Sequence, residues 1–231
     1  MSAPTSCSVV IPVWREQAVI NRTLSELRAI EDGEMLEIIV VDGEGTGSTI
    51  ARIPDRYGAR TLTSAPGRAG QMNAGARRAI GEVLLFLHAD TRLPPDALKR
   101  ILKSFQNPAI VGGAFRLQID SRRWAIRFIA WVANRRTRFT RIPYGDQAIF
   151  IRSSYFRRLG GYAGISLMED VELMRRIKKR GDRIALIDAP VRTSARRWEK
   201  EGPFYCTLRN WTLVTLYLLG ISPDRLVRWY D

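Results

Sequence analysis

In the first half of the chain, the pattern of apolar and polar residues predicts strands that alternate with helices. Strand-like patterns occur four times, at 8–13, 37–41, 59–63 and 83–87. Apolar residues at helical spacing predict three helices, at about 16–30, 67–80 and 94–105. The nearly continuous apolar runs are typical of parallel strands that are buried on both faces. Such strands alternating with helices predict βαβ units with right-handed connections.

The pattern is less regular after residue 110. It predicts two strands and two helices, at 111–119 (strand), 122–138 (basic amphipathic helix), 148–152 (strand) and 169–180 (helix). The sequence has no internal repeat and no Pro- or Ser-rich linker. We therefore predict an α/β fold with one domain over 1–231, in which helices flank a mixed, mostly parallel sheet.

Positive charge is concentrated in the second half of the chain. The formal net charge is +14, of which residues 1–120 contribute +1 and residues 121–231 contribute +13. Most of the excess is arginine, which suits phosphate recognition. Charge alone specifies neither fold nor activity, so simple solubility and an anionic partner both stay open.

Several features favour a cytoplasmic location. Cys7 and Cys206 are the only cysteines, too few for a disulfide scaffold, so a reducing compartment is the default. The first residues lack the basic and apolar regions of a signal peptide. No window of about 18 residues is apolar enough to predict a membrane span.

Two aspartates lie where predicted strands end. Asp42 follows the second strand and Asp90 follows the fourth. Ligands of open α/β sheets bind at this edge, although aspartate also caps turns and helices. Mg²⁺ or Mn²⁺ prefers carboxylate oxygen, and one aspartate suffices where substrate phosphates supply other ligands. His88, the only histidine, fits three roles equally: a ribose contact, a metal ligand or a buried strand-end residue.

Two helix starts also carry candidate chemistry. Arg68 stands where a helix begins, a position that can hold phosphate but that an ordinary surface arginine can also occupy. Glu169 and Asp170 open a helix that ends in a run of basic residues. Acids first and bases last stabilise the helix dipole, which explains the pattern without function. A carboxylate there could equally act as a general base towards a hydroxyl.

Taken together, these residues resemble the family 2 glycosyltransferases, which have the GT-A fold. The similarity extends from Ser8 to about Trp198. The matching segments are 8–16 (SVVIPVWRE), 37–43 (EIIVVDG), Arg68 with 71–75 (QMNAG), 85–90 (LFLHAD) and 168–170 (MED). Each motif alone is weak, but five in the family's order are specific. Two further segments, 88–90 (HAD) and 144–150 (YGDQAIF), resemble those of a subgroup of transferases that is associated with radical-SAM and selenium-related gene sets.

The resemblance implies a role for each half of the chain. Residues 1–110 would bind a nucleotide sugar, most simply a UDP-sugar, and 111–231 would bind a hydroxyl acceptor. Asp170, with Glu169 beside it, would be the catalytic base of an inverting transfer, and Asp90 would hold Mn²⁺ or Mg²⁺. The implied nucleotide-sugar-binding residues are Pro12, Val13, Glu16, Asp42, Arg68, Asn73, His88, Ala89 and Asp90. The implied acceptor-side residues are Asp146, Gln147, Arg197 and Trp198.

Two departures from the family pattern narrow these expectations. His88 replaces the first acid of the DxD motif, so metal binding depends on Asp90. The segment 194–198 (SARRW) resembles the QxxRW element of processive members, but serine replaces its glutamine and their membrane helices are lacking. The resemblance therefore implies transfer of a single sugar.

The basic second half of the chain does not by itself identify a binding partner. Trp124, Phe128 and Trp131 share one face of the predicted basic helix, and 211–219 is apolar but too short to span a membrane. Both stretches are expected to pack on the domain, as most apolar stripes do. The alternatives are contact with the inner membrane surface, a lipid-linked or anionic acceptor, or a homodimer interface. A nucleic-acid-binding protein and a non-catalytic nucleotide-sugar binder remain alternative functions, although no nucleic-acid motif is present.

Overall fold

The structure, a computed structural model, describes residues 4–229. Its strands are β1 (Cys7–Val13), β2 (Glu37–Asp42), β3 (Ala59–Thr63), β4 (Val83–Phe86), β5 (Thr91–Arg92), β6 (Ile110–Asp120), β7 (Phe150–Arg152) and β8 (Arg183–Ser194). Its α-helices are α1 (Ile20–Arg28), α2 (Arg68–Arg78), α3 (Ala97–Ser104), α4 (Trp124–Thr140), α5 (Ser153–Arg158), α6 (Glu169–Lys179), α7 (Arg196–Glu201), α8 (Pro203–Leu218) and α9 (Pro223–Leu226). The eight strands form one sheet in the order β3-β2-β1-β4-β7-β6-β8-β5.

The first four strands are mutually parallel, as predicted. β1 lies between β2 and β4, and β2 pairs with β3. Ile38 and Val40 of β2 pack on one face with α1 and α3, whereas Ile39 and Val41 pack on the other with α2 and α6. Because helices cover both faces, β1, β2 and β4 have no polar side, which explains their continuous apolar sequence. β3 lies at the edge of the sheet and is partly exposed, and its sequence, ARTLT, is accordingly more polar.

The second half of the sheet is mixed. β7 is antiparallel to both β4 and β6, and it thereby joins the two halves. β8 is long, runs parallel to β6 with two register shifts and pairs with β5 in the antiparallel direction. The sequence pattern did not predict β8, β5, α5 or α7, and α8 begins well before the apolar stretch that was noted.

Helix α4 packs on the domain through a different face from the one expected. Ile126, Ala130 and Thr137 are buried, while Trp124, Phe128 and Trp131 are 75%, 55% and 56% exposed. The expectation that the aromatic stripe is part of the core was therefore wrong. The small and aliphatic side chains fit close against β6, and the large aromatic ones are left on the surface.

The apolar stretch near the C-terminus packs on the domain only in part. α8 buries Cys206 and Leu213, but several large apolar side chains of this helix reach the surface. Among the described residues, no helix is long and apolar enough to cross a bilayer.

Candidate active site

The carboxyl ends of β1 and β2 are held together by a buried glutamine. The Gln71 amide nitrogen, on α2, donates to the carbonyl oxygens of Val13 and Val41, each at 2.8 Å. A Cβ atom at Gly43 would lie 2.6 Å from the Gln71 amide carbon, so only glycine fits there. This contact fixes the edge at which Pro12, Val13 and Asp42 lie.

Asp42 is fully buried at this edge and is only half satisfied. One carboxylate oxygen accepts a hydrogen bond from the backbone N–H of Glu44 at 2.8 Å. The other oxygen is buried and has no partner among the described residues. An unpaired buried acceptor is costly, so such a group calls for an explanation. A ligand that donates a hydrogen bond would satisfy this oxygen.

His88 follows β4 and lies beside two arginines. Burial, together with the positive charges of Arg68 and Arg197, holds its pKa well below the usual range. The imidazole is therefore neutral and offers one donor and one acceptor. A Cβ atom at Gly145 would lie 3.0 Å from Nε2 of His88, so the 145–147 turn packs directly against the ring.

Asp170 is fixed at the start of α6 by backbone groups. Its Oδ2 accepts a hydrogen bond from the N–H of Gly145 at 2.6 Å, and its Oδ1 accepts one from the N–H of Val171 at 2.7 Å. Met168, which precedes the helix, has a φ of 67°, an uncommon conformation for a non-glycine residue. This backbone turn and the helix N-terminus both favour a carboxylate at this position.

Two more acids gather around Asp170. Burial and the charge of Asp170 together raise the pKa of Glu169 to about 7, against the effect of Arg68. Burial likewise raises the pKa of Asp146 to about 6, although Arg136 acts in the opposite direction. Near neutral pH these carboxyl groups are therefore close to the midpoint of their titration, which is a common property of active sites.

Arg136 brings a positive charge to the same cluster from α4. Its guanidinium carbon lies 3.2 Å from the centre of the Tyr144 ring. Burial lowers its pKa to about 10, and the nearby Asp146 and Asp170 counteract this effect, so it stays protonated at neutral pH. Its Nε is buried with no hydrogen-bond partner among the described residues.

Asp90 lies apart from this acid cluster. It lines a cavity of about 270 Å³ between α1, β5 and the end of β8. Ala89, beside it, accepts a hydrogen bond from the Thr23 hydroxyl, and Glu16 pairs with Arg196 at 3.5 Å. The Asp90 carboxylate has no hydrogen bond or ion pair with any residue in the described range 4–229, where no three potential ligands cluster. One free carboxylate suits a divalent cation whose other ligands come from substrate phosphates.

Three of the residues implied by resemblance have structural contacts in place. The Asn73 amide exchanges two hydrogen bonds with the backbone of Tyr162, at 2.8 and 2.9 Å. Gln147 is buried and bonds Thr137 and the carbonyl oxygen of Phe115. Trp198 packs against the apolar cluster beneath α4. These side chains hold the loops around the site, whereas Arg197 lies close enough to His88 to affect its pKa.

The sequence interpretation missed several residues that shape the site. Gln71, Gly145, Arg136 and Tyr162 were not singled out for these roles, because each acts through contacts that are remote in sequence. Burial raises the pKa of Tyr162 well above its usual value, and Asp170 and Glu169 add to this shift. A cue existed for two of them, because Gln71 stands in the matching segment 71–75 and Gly145 stands beside Asp146 in the segment YGDQAIF.

Comparison with known proteins decides the family. Residues 8–160, more than half of the chain, match glycosyl transferase family 2. The chain belongs to this family. The probable glycosyltransferase YdaM of Bacillus subtilis is 27% identical to this family 2 chain over 218 residues, covering 84% of the chain and 50% of YdaM. An undecaprenyl-phosphate 4-deoxy-4-formamido-L-arabinose transferase of Pseudomonas aeruginosa is 28% identical over 150 residues, 60% of this chain and 44% of that protein.

Solved structures confirm the GT-A fold. The mannosyltransferase PcManGT from Pyrobaculum calidifontis, solved with GDP-Man and Mn²⁺, matches with a TM-score of 0.67 and 20% identity, over 94% of this chain and 66% of that one. TarS of S. aureus, solved with UDP-GlcNAc, matches with a TM-score of 0.63 and 16% identity, over 82% and 58%. At these identities the likeness establishes the fold alone. The family 2 chain spans about half the length of the curated relatives named above. The names of these relatives do not test the similarity to the radical-SAM subgroup.

Proposed function

We propose that this family 2 chain is an inverting glycosyltransferase that moves one sugar from a nucleotide-sugar donor to an acceptor hydroxyl. The observation that carries the proposal is the placement of Asp170. Its carboxylate is held by two backbone N–H groups and lies against the turn that packs on His88, at the end of β4. A fixed carboxylate at the ligand-binding edge of an α/β sheet is suited to remove a proton from a bound hydroxyl.

The donor would lie across the ends of β1, β2 and β4. The unpaired oxygen of Asp42 would accept a hydrogen bond from the base, most simply the N–H of a uracil. His88, neutral, would bond a ribose hydroxyl, and Arg68 would face the diphosphate. Asp90 would hold Mn²⁺ or Mg²⁺, which when bound supplies positive charge to the leaving diphosphate.

The transfer step would proceed by direct displacement. The acceptor hydroxyl gives its proton to Asp170 as its oxygen forms a bond to the anomeric carbon. The bond from that carbon to the diphosphate oxygen breaks, and its electron pair leaves with the nucleoside diphosphate. Attack opposite the leaving group inverts the anomeric centre. Glu169 and Asp146 would set the charge around Asp170, since their pKa values of about 7 and about 6 lie near neutral pH.

The acceptor in this proposal is lipid-linked. Several relatives, from Pseudomonas aeruginosa and Edwardsiella ictaluri among others, are named undecaprenyl-phosphate 4-deoxy-4-formamido-L-arabinose transferases. The arginine-rich second half of this chain suits the phosphate of a lipid-linked acceptor, while a hydroxyl that the lipid carries would be the group that attacks the sugar. We propose a cytoplasmic protein that contacts the inner membrane surface peripherally, with no role in nucleic-acid binding.

Donor binding tests the first part of the proposal. The melting temperature would be measured with UDP- and GDP-sugars, with and without Mn²⁺, for the wild type, Asp42→Asn and Asp90→Ala. A ligand at about 100 times its Kd adds about 2.7 kcal/mol, which is several degrees for a chain of this length. We expect a metal-dependent shift with one nucleotide, lost in Asp90→Ala and reduced in Asp42→Asn.

An exposed aspartate provides the matched control. Asp55→Ala, in a surface turn remote from these strand ends, should keep the full shift. A shift of equal size in Asp90→Ala and Asp55→Ala would contradict the role of Asp90. No shift with any nucleotide sugar would contradict the proposal as a whole. Donor binding with no turnover of any acceptor would instead favour a non-catalytic binder, the alternative that His88 suggests.

A further inference from the structure

One face of α4 exposes aromatic residues and arginines to solvent in alternation. The exposed residues follow helical spacing and are Trp124, Arg127, Phe128, Trp131, Arg135, Arg138 and Phe139. Phe128 and Trp131 stack with ring centres 5.7 Å apart, and the Arg135 guanidinium carbon lies 5.6 Å from the centre of the Trp131 ring. Several large apolar side chains exposed together on one helix commonly mark an interaction surface.

Helix α8 contacts α4 and adds an exposed face without charge. The large exposed side chains of this second face are Phe204, Tyr205, Leu208, Trp211 and Leu218. They again follow helical spacing, while Cys206 and Leu213 point into the protein. We call the exposed faces of α4 and α8 together the aromatic platform.

The charge around the aromatic platform is of one sign. The stretch 121–145 contains seven arginines and no acidic residue. Arg138 pairs with Asp188 at 3.7 Å, whereas Arg122, Arg123 and Arg127 are exposed near the start of α4. Arginines beside tryptophan and phenylalanine rings are typical of helices that lie in the headgroup region of an anionic bilayer. The long arginine side chains can reach the phosphates while the rings enter the lipid.

We infer that the aromatic platform binds the surface of an anionic lipid bilayer, with the α4 axis in the plane of the headgroups. The inference identifies the surface that would make the peripheral contact in the proposed function, and in that respect it rests on that proposal. It also places the active site close to the lipid. Arg136, which faces Asp146 and Asp170, follows Trp131 by five residues, about 8 Å along the helix axis.

Two other occupants fit the observations less well. A single-stranded nucleic acid would use the arginines and rings of α4, but the exposed face of α8 offers no positive charge to its phosphates. A second copy of the chain, related by a twofold axis, would bring the arginine-rich α4 surfaces towards each other, and like charges that meet at an interface are unfavourable. A bilayer accommodates both the charged and the uncharged face.

Vesicle co-sedimentation with the full chain tests the inference. Vesicles of phosphatidylcholine with phosphatidylglycerol would be compared with vesicles of phosphatidylcholine alone, at low and high salt. We expect binding to the anionic vesicles that weakens with salt. The variant Trp124→Ala/Phe128→Ala/Trp131→Ala should lower the affinity by roughly tenfold or more. The variant Arg122→Gln/Arg123→Gln/Arg127→Gln should lower it by about fivefold per arginine at low salt.

A control variant removes exposed apolar residues elsewhere. Met35→Ala/Ile80→Ala deletes side chains that are 68% and 82% exposed outside the platform, and it should bind vesicles as the wild type does. The melting temperature and the donor-induced shift would be measured for each variant. An unchanged donor shift beside lost vesicle binding separates this inference from the proposed function.

Several results would overturn the inference. These are no binding to anionic vesicles, equal binding by the aromatic variant and the wild type, and a dimer in solution that the aromatic variant abolishes. Salt-sensitive binding of a single-stranded oligonucleotide that displaces the vesicles would also contradict it, in favour of a nucleic-acid partner.

Discussion

The two halves of the chain are organised by different forces. Residues 4–110 contain the four parallel strands, of which β1, β2 and β4 are covered on both faces and almost wholly apolar. Residues 111–229 contain long strands with register shifts, most of the net positive charge and most of the large exposed apolar side chains. The fold of the first half is therefore determined mainly by buried apolar residues, whereas many residues of the second half are exposed and determine the properties of the surface.

The candidate active site lies where these halves meet. His88 and Arg68 come from the first half, and Gly145, Asp146 and Asp170 come from the second. Strand β7 and the bonds between Asn73 and Tyr162 join the halves beside the site. Substitutions on the two sides of this junction should therefore distinguish residues that affect the rate of sugar transfer from residues that affect the free energy of unfolding.

The largest effect is expected from Asp170→Asn, on the second-half side. Asparagine keeps the shape but cannot take a proton, so turnover should fall by about 10²- to 10⁴-fold, the usual contribution of a general base. Initial rates of sugar transfer would be measured alongside donor binding, which should change little. Glu172→Gln, two residues further along the same helix and paired with Arg176 at 2.7 Å, should keep its activity. Equal activity in the two variants would remove Asp170 from the chemistry.

The second largest effect is a loss of stability from a substitution in the first half of the chain. Gln71→Leu removes one donor from the carbonyl oxygen of Val41 and one from that of Val13, which keeps only the backbone N–H of Gly43. The free energy of unfolding should fall by about 1–3 kcal/mol. Urea denaturation measures the change. Gln106→Ala, at an exposed position, should stay within about 0.5 kcal/mol of the wild type.

The second half contains a counterpart that sharpens this comparison. The Asn134 amide exchanges two hydrogen bonds with the backbone of Leu117, both at 2.8 Å. Because these groups are only partly buried, Asn134→Ala should cost about 1 kcal/mol. A larger loss for Asn134→Ala than for Gln71→Leu would contradict the view that the first half depends more on its interior.

A smaller effect is expected at the junction itself. In Gly145→Ala, the added Cβ would lie 3.0 Å from Nε2 of His88 and 3.4 Å from Oδ2 of Asp170. The turn must shift by a few tenths of an ångström, which should reduce turnover by roughly tenfold with little loss of stability. Gly164→Ala, where no atom lies within 4 Å of the new Cβ, is the matched control. If both alanine variants kept full turnover, close packing of this turn would not matter for the reaction.

The last effect is a dependence of stability on pH, which is measured as a slope. Glu169 and Asp146 have pKa values of about 7 and about 6 in the folded protein, against about 4 in an unfolded chain. Between these values the folded state binds more protons, so the free energy of unfolding falls as pH rises from about 4 to 7, by at most about 1.4 kcal/mol per pH unit for each proton. Urea denaturation across this range should show a shallower slope in Glu169→Gln and an unchanged slope in Glu31→Gln. Identical slopes in all three proteins would contradict the raised pKa of Glu169.

The sequence predicted the first half of the fold well because local pattern and tertiary environment agree there. Three of its four parallel strands, β1, β2 and β4, are short apolar runs, and its helices show apolar residues on one face. The same reasoning brought Asp42 and His88 to a common edge. It also placed Asp170 at the start of a helix, whereas the proposed role of Asp170 as the base comes from the family resemblance.

The rest depended on contacts that no local pattern reveals. β8 contains Asp188 and Pro190, and its register shifts against β6 near Pro190, so its apolar residues do not alternate regularly. For α4, the sequence showed the aromatic stripe but not that smaller residues would fill the space against the sheet. The roles of Gln71 and Gly145 arise from neighbours that are 25 or more residues distant.

The pairing of β5 with β8 has a consequence for synthesis of the chain. Thr91 directly follows Asp90, and its hydroxyl lies 3.3 Å from that of Thr193, 102 residues later. A nascent chain can assemble its parallel strands early, but the segment after Asp90 lacks its partner until Thr193 has left the ribosome. At about 5–20 residues per second, the 102 residues between the two threonines correspond to a delay on the order of 5–20 s. The sheet edge beside Asp90 would therefore be completed well after the parallel strands that it adjoins.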